Sequence, residues 1–106
     1  MDEPKRGREA NEVTFRNINE WVEELTPGRV LDVVCECDDM NCGEQFPVLI
    51  EVYERVRSDG TLFLVLPGHS DDSIEEVVER GDGYWVVRKD PGRPAAVARA
   101  TDPRAG

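Results

Sequence analysis

Three cysteines and one histidine are the side chains whose types and spacing could do chemistry in this sequence. Cys35, Cys37 and Cys42 follow the spacing C-x-C-x4-C and are all the cysteines of the 106-residue chain. The single histidine, His69, comes directly after a Pro-Gly turn signal. Structural zinc prefers four sulfur or nitrogen ligands in a tetrahedron. The sequence therefore predicts a zinc site with Cys35, Cys37, Cys42 and His69 as its ligands.

The fourth ligand and the metal each have alternatives at this point. Asp38, Asp71, a water molecule or a residue from another chain could take the place of His69. Met40 lies inside the cysteine loop, and thioether and thiolate are soft donors, so a Cu⁺ site is a second interpretation that ranks below Zn²⁺.

Carboxylates surround the predicted site in the sequence. Three thiolates and a neutral imidazole would leave Zn²⁺ with an excess negative charge. We therefore expect Glu36, Asp38 and Asp39 to point to solvent. Backbone N–H groups of the loop are expected to donate hydrogen bonds to the sulfurs, as the surroundings of metal ligands commonly do.

Catalytic and redox roles are the alternatives to a structural site. Cys42 with His69 could form a thiol–imidazole pair, or the zinc could keep an open position if His69 did not bind. The deaminase motif and a glycine-rich phosphate loop are both missing from the sequence, which disfavours an enzyme. A redox switch would use the same thiolates, released from zinc and oxidised to a disulfide.

Charge and composition exclude several classes of partner. The chain has 13 basic and 23 acidic residues, a net charge of −10, and a pI near 4.5. This charge disfavours nucleic acids and anionic membranes, which need clustered lysine and arginine. The polar start of the chain does not resemble a secretion signal, and three clustered cysteines do not resemble a disulfide framework. These features predict a cytoplasmic protein.

The predicted helices and strands form a small α+β domain over residues 10–100, which would position the ligands. We expect a disordered lead-in over 1–9 before it and a flexible tail over 101–106 after it. Phe15, Ile18, Val22 and Leu25 recur at helical spacing and predict a helix over 10–25 with this stripe in the core. Runs of β-branched and apolar residues predict strands over 29–36, 45–48, 61–66 and 84–89. Further helices are predicted over 49–57, 71–80 and 95–100. The expected fold is one small sheet of about four short strands with helices packed on it and the Cys-rich loop at one end.

A protein partner is the remaining functional prediction. The chain is small and acidic, and it carries no catalytic set of residues. Trp21 and Trp85 are either core residues or interface anchors, and the core is favoured because both fall in regular segments. The acidic helix over 72–79 could contact a basic partner, although a solvated helix face is the commoner explanation. The sequence thus favours a small zinc-binding module that acts through protein–protein interaction.

Two resemblances accompany these residues. The segment Cys35-Glu36-Cys37-x4-Cys42-Gly43 resembles the post-SET zinc knuckle of histone-lysine methyltransferases, which supports metal binding and implies no methylation. Residues 10–104 resemble a family of small actinobacterial proteins, and this resemblance implies a bacterial cytoplasmic setting but no activity. The shared motifs are Asn11-Glu12-x-x-Phe15-Arg16-x-x-Asn19-Glu20, Val34-Cys35-Glu36-Cys37, Tyr53-Glu54-x-Val56-Arg57, Pro67-Gly68-His69, Val77-Val78-Glu79, Gly83-Tyr84 with Val86-Val87, and Thr101-Asp102-Pro103-Arg104.

Overall fold

Helices and short strands alternate along the chain in the computed structural model, which describes residues 4–39 and 41–104, with side chains described from residue 12 onward. In these ranges the helices are α1 (Pro4–Leu25), α2 (Ile50–Arg57) and α3 (Arg93–Ala100). The strands are β1 (Val30–Val34), β2 (Gln45–Leu49), β3 (Leu62–Val65), β4 (Glu75–Arg80) and β5 (Trp85–Lys89). The predicted α+β class is confirmed.

The strands of the described residues form two antiparallel sheets, where the sequence predicted one. β1 and β2 form a hairpin in which Val30 pairs with Leu49 and Val34 pairs with Gln45. β3, β5 and β4 form the second sheet, with β5 in the middle. The Cys loop, residues 35–44, closes the hairpin at one end. Its Glu36 N–H donates a hydrogen bond of 2.8 Å to the Leu64 carbonyl of β3, so the loop also connects the two sheets.

The core combines apolar side chains from both sheets with residues of α2 and α3. β3 contributes three consecutive buried residues, which is the expected pattern for a strand covered on both faces. No helix in the described part of the chain is long and apolar enough to cross a membrane. The buried apolar cluster consists of Leu31, Val33, Cys35, Cys37, Phe46, Val48, Tyr53, Val56, Phe63, Leu64, Val65, Val86, Val87 and Ala98.

The predicted acidic helix over 71–80 is wrong, because this segment contains strand β4. β4 pairs antiparallel with β5, with a bulge between Val77 and Glu79. Side chains along it alternate between more and less buried positions, starting from the buried Glu75. Glutamate is a good helix former, but intrinsic propensity is easily overridden by tertiary contacts. Here the β-branched Val77 and Val78, the pairing with β5 and the buried partner of Glu75 outweigh it. The acidic helical face offered to a basic partner therefore does not exist.

The buried face of α1 is polar, whereas the sequence predicted an apolar stripe. Glu12, Arg16 and Asn19 are at most 4% exposed. Trp21 is 68% exposed and Leu25 is 81% exposed, so their assignment to the core is wrong. Phe15, Ile18 and Val22 are half-buried along the flank of the polar face, and Trp85 is partly buried against the core. The polar face is buried because other parts of the chain supply partners for each of its three side chains.

Helical structure extends before residue 10, and side-chain contacts extend beyond residue 100. α1 begins at Pro4 and not near Ala10, so helix covers most of the predicted lead-in. Proline suits the first turn of a helix, where its missing N–H has no intrahelical partner, and lysine, arginine and alanine are good helix formers. In the predicted tail, the Arg104 guanidinium forms hydrogen bonds with Glu20 and Glu54. Residues 1–3 and 105–106 lie outside the described residues.

Candidate metal centre

The Cys loop brings its first and last cysteines together by continuing the hairpin ladder. Cys35 follows directly after β1, and its N–H donates to the Glu44 carbonyl at 2.8 Å. The chain then reverses in a tight turn, in which Cys42 N–H donates to the Asp39 carbonyl at 3.0 Å. The Asp39 carboxylate supports the same turn by accepting from Asn41 N–H at 2.9 Å. Local turn chemistry therefore explains how four intervening residues return Cys42 to the other two cysteines.

His69 reaches the cysteines because it follows β3, the strand that contacts the Cys loop. A turn after β3 reverses the chain, and His69 N–H donates to the Leu66 carbonyl at 3.0 Å. Gly68 has a φ of 86° in this turn, a backbone conformation that glycine adopts without steric cost. The Pro-Gly sequence that suggested a turn before His69 therefore forms one.

The four predicted ligands converge on one point. One donor atom from each of Cys35, Cys37, Cys42 and His69 lies within 4.8 Å of every other. His69 Nδ1 is 3.7 Å from Cys35 Sγ and 3.5 Å from Cys42 Sγ. Zinc bonds of about 2.3 Å to sulfur and about 2.05 Å to nitrogen, arranged as a tetrahedron, place sulfur and nitrogen about 3.6 Å apart. The donor set therefore fits a tetrahedral ion.

Protonation of the thiols reflects their mutual proximity. The hydrogen bond that Cys35 donates lowers the pKa of Cys37 to about 5, and it raises the pKa of Cys35 well above its usual range. Burial raises the pKa of Cys42. Without a cation, three sulfurs this close together retain protons, which reduce the repulsion between thiolates. A bound cation would displace these protons.

A backbone group from outside the loop bonds one of the sulfurs. Leu66 N–H, just after β3, donates to Cys35 Sγ at 3.2 Å. Within the loop, where the sequence predicted such donors, the Glu44 backbone also forms a hydrogen bond with Cys42. The contact from Leu66 fixes the orientation of Cys35 from the same segment that carries His69, so the two sheets share the support of the site.

Glu36 is buried at 1% exposure, and the expectation that it points to solvent is wrong. Its carboxylate accepts hydrogen bonds from Arg57 Nη2 at 2.7 and 2.8 Å, from Asn19 Nδ2 at 2.7 Å and from Leu64 N–H at 2.9 Å. In an extended chain successive side chains point to opposite sides. Cys35 and Cys37 therefore face the site together, and Glu36 between them faces inward. Of the other two acids, Asp39 is exposed as expected.

Asn19 joins α1 to the same network. Its amide accepts from Val34 N–H at 2.7 Å and donates to the Val34 carbonyl at 2.8 Å, so it pairs with the edge of β1 as a neighbouring strand would. Arg57, the last residue of α2, lies over the Tyr53 ring with its guanidinium carbon 5.0 Å from the ring centroid. Asn19, Glu36 and Arg57 thus form one buried group, which we call the Glu36 network.

Sequence reasoning missed the Glu36 network, although one signal for it is present. Glu12, Arg16 and Asn19 step by four and then three residues along α1, which is the spacing of a helix face. A polar stripe at that spacing is normally taken as solvated. The additional clue is Glu36, whose position between two ligands requires it to face away from them.

We predict that Glu36→Gln destabilises the fold by about 3 kcal/mol, because it leaves the buried Arg57 guanidinium without its counter-charge. The measurement is urea unfolding of the metal-loaded protein. Glu44→Gln is the matched control, since the Glu44 residue is exposed and its hydrogen bonds in the loop are made by its backbone. Equal unfolding free energies for the two variants would contradict the role assigned to the network.

Comparisons of the chain with family models, with curated proteins and with solved structures find no match. The resemblances to the post-SET zinc knuckle and to the actinobacterial family therefore stay predictions.

Proposed function

We propose that this chain is a small zinc-binding module with a structural Cys3His site, and that it acts through protein–protein interaction. The observation that supports the site is the convergence of Cys35, Cys37, Cys42 and His69, with their donor atoms within 4.8 Å of one another. Four protein donors complete the tetrahedron that structural zinc prefers and leave no position for a substrate. This supports a structural role over a catalytic one.

Zinc is favoured over Cu⁺ by the composition of the donor set. Three thiolates with one imidazole form a combination found in closed structural zinc sites. The Cu⁺ interpretation depended on the thioether of Met40, which lies outside the described residues. The proposed cofactor is therefore Zn²⁺, held in a reducing compartment such as a bacterial cytoplasm.

The ion would hold the hairpin against the second sheet. Three ligands belong to the loop that closes β1 and β2, and the fourth follows β3. A two-stranded hairpin is only marginally stable by itself. A metal bond across this junction would stabilise the relative position of the two sheets in a chain with a small core.

Exposed apolar side chains on α1 and at the open end of the hairpin support a protein partner. Trp21 and Leu25 lie one turn apart on α1, and Val30 pairs with Leu49 at the open end of β1 and β2. Each of the four is more than half exposed. We call these residues the apolar end. Large exposed apolar groups commonly mark interaction sites, and tryptophan often dominates their binding energy.

Charge indicates the kind of partner. The chain carries a net charge of −10, and Glu24 is exposed on α1 between Trp21 and Leu25, whereas Glu51 of α2 pairs with Arg29 at 3.4 Å. A partner with an apolar anchor surrounded by lysine or arginine would complement both features. The proposal is therefore a basic protein surface with a central apolar side chain.

We predict about one equivalent of zinc per chain in protein purified without chelator, measured by elemental analysis. Cys37→Ser should lose the ion and much of the folded circular-dichroism signal, since it removes a buried ligand. His69→Ala should retain more of the fold, because a water molecule can take the position of a half-buried ligand.

Met40→Leu is the control for this experiment. It preserves the zinc content if the site is Cys3His and reduces metal binding if a thioether is a ligand. Wild-type protein that folds fully and contains no metal would contradict the structural site.

A redox switch is the second candidate, because three thiols lie within 4.8 Å of one another and Cys42 is only partly buried. For a structural site we predict that zinc and the reduced thiols persist under mild peroxide, since Cys35 and Cys37 are buried. Zinc release and free-thiol counts are the measurements. Rapid loss of zinc with formation of one intramolecular disulfide would instead support the switch.

For the partner we predict that the double variant Trp21→Ser, Leu25→Ser loses a protein that the wild-type chain captures from bacterial lysate, and that capture weakens as salt rises. Folding should be unaffected, because both side chains are exposed. Val78→Ser, an exposed apolar position on β4, is the matched control. Identical captured proteins for wild type and double variant would exclude the apolar end as the binding surface.

A further inference from the structure

A groove of about 370 Å³ is lined by the hairpin, by α2 and by the turn that joins β4 to β5. Val30 and Leu49 of the apolar end form part of its lining, and each is more than half exposed. The groove is therefore open to solvent along the hairpin, which suits a segment of another chain better than an enclosed small molecule. The apolar side chains that line it are Val30, Pro47, Val48, Leu49 and Val52, together with Tyr84.

Two exposed aspartates border the groove. Asp82 lines it from the turn between β4 and β5. Asp32 pairs with Pro47 across the hairpin, so both side chains project from the same exposed face. Neither carboxylate forms a hydrogen bond or an ion pair with any residue that the structure describes. Both can therefore accept hydrogen bonds from a cation outside the chain.

Three arginines adjoin the groove, and each of them has a partner within the chain. They are Arg29, which pairs with Glu51 at 3.4 Å, Arg55, which pairs with Glu79 at 2.6 Å, and Arg80, whose guanidinium carbon lies 4.8 Å from the centroid of the Trp85 ring. The Tyr84 hydroxyl donates to Glu79 at 2.9 Å, so the ring of Tyr84 remains as an apolar wall. None of these contacts engages Asp32 or Asp82.

Backbone pairing contributes little to recognition at this hairpin. Hydrogen bonds join Cys35 to Glu44 and Ile50 to Arg29, and the alternation of the ladder between them directs the backbone of Pro47 away from β1. A strand added at this edge needs backbone donors, and proline has no N–H. A bound segment would therefore be recognised by its side chains.

We propose that this groove binds an extended protein segment with a leucine-sized apolar side chain and a lysine or arginine two residues away on each side. The inference rests on the protein-binding function proposed above and assigns the anchor position to Val30 and Leu49. Side chains two residues apart point to the same face of an extended segment. The apolar group would enter the groove while the basic groups contact Asp32 and Asp82. A second copy of this chain is a poor occupant, because each copy carries a net charge of −10.

Three capped peptides of one length test the proposal: Lys-Ala-Leu-Ala-Lys, Glu-Ala-Leu-Ala-Glu and Lys-Ala-Ser-Ala-Lys. Each is titrated into the full chain in the presence of Zn²⁺ and followed by backbone amide chemical shifts. We expect the first peptide to bind about tenfold more tightly than either of the others, because only it combines the apolar group with the complementary charge. Its advantage over the acidic peptide should fall as salt rises. The largest shifts should occur at Leu49, Val52 and Asp82.

Two variants separate the charge from the groove. Asp82→Asn should reduce affinity for the basic leucine peptide about threefold, and asparagine also suits the turn. Its control is Asp72→Asn, an exposed position before the opposite end of β4. Leu49→Ser should reduce affinity for both leucine peptides about fivefold, with the exposed Val78→Ser as its control. Leu49 is the N-cap of α2, a position that serine favours, so this variant should fold.

Several outcomes would overturn the proposal. Equal affinity for the lysine and glutamate peptides would remove the aspartates as anchors, and equal affinity for the leucine and serine peptides would remove the apolar groove. Shifts at other residues, or no saturable binding by any peptide, would also contradict it. Self-association in sedimentation equilibrium that Leu49→Ser abolishes would assign the groove to a second copy of the chain.

Failure of the groove and failure of the proposed function are distinguishable. A captured protein that the double variant Trp21→Ser, Leu25→Ser loses, with no peptide binding, would overturn the groove alone. Peptide binding at the groove with no such captured protein would leave the groove and remove the role of Trp21 and Leu25. Metal content measured on the same samples shows separately whether the zinc site is occupied.

Discussion

The buried pair of Glu36 and Arg57 is the interaction on which the rest of the structure depends. Removing two charges from water is costly, and their attraction compensates only when the remaining hydrogen-bonding groups are satisfied. On the arginine side, Nε and Nη1 of Arg57 are buried without a hydrogen-bond partner among the described residues. On the carboxylate side, Asn19 and the Leu64 N–H complete the set of donors. An apolar residue at position 36 would leave those donors unpaired. The pair therefore contributes more to orientation than to stability, because it fixes the direction in which the Glu36 side chain points between Cys35 and Cys37.

The same principle explains how α1 is held. Its three buried polar residues each have a different partner: Glu12 binds Lys89 of β5, Arg16 binds the C-terminal end of α3, and Asn19 binds β1. An apolar stripe can slide or rotate at little cost, whereas hydrogen bonds at three points along a helix define one position and one rotation. That position places Asn19 beside the Cys loop and Glu12 beside Lys89 of the second sheet. One helix thus determines the geometry of both.

Features that depend on residues close together in sequence were predictable, and features that depend on distant residues were not. The convergence of Cys35, Cys37, Cys42 and His69 was predictable because the three cysteines lie close together in sequence and the histidine follows a clear turn signal. β3 was predictable because its apolar run is continuous. β4 was not, since its glutamates and valines suit a helix or a strand, and the pairing of Glu75 with Lys89 across β5 decides between them. The inward direction of Glu36 follows from strand alternation, but its partners come from α1 and α2, which no local pattern connects.

The two ends of the hairpin would link a metal bound at the Cys loop mechanically to Val30 and Leu49. Cys35 continues from β1, and Val30 begins it, so a fixed loop and an exposed patch share the same two strands. Isolated hairpins fluctuate in twist and register. Metal bonds from the loop to a residue after β3 would restrict those fluctuations, so Val30 and Leu49 would be presented in one arrangement. Preorganisation of this kind lowers the entropic cost of association. The ion would then influence binding of a partner without contacting it.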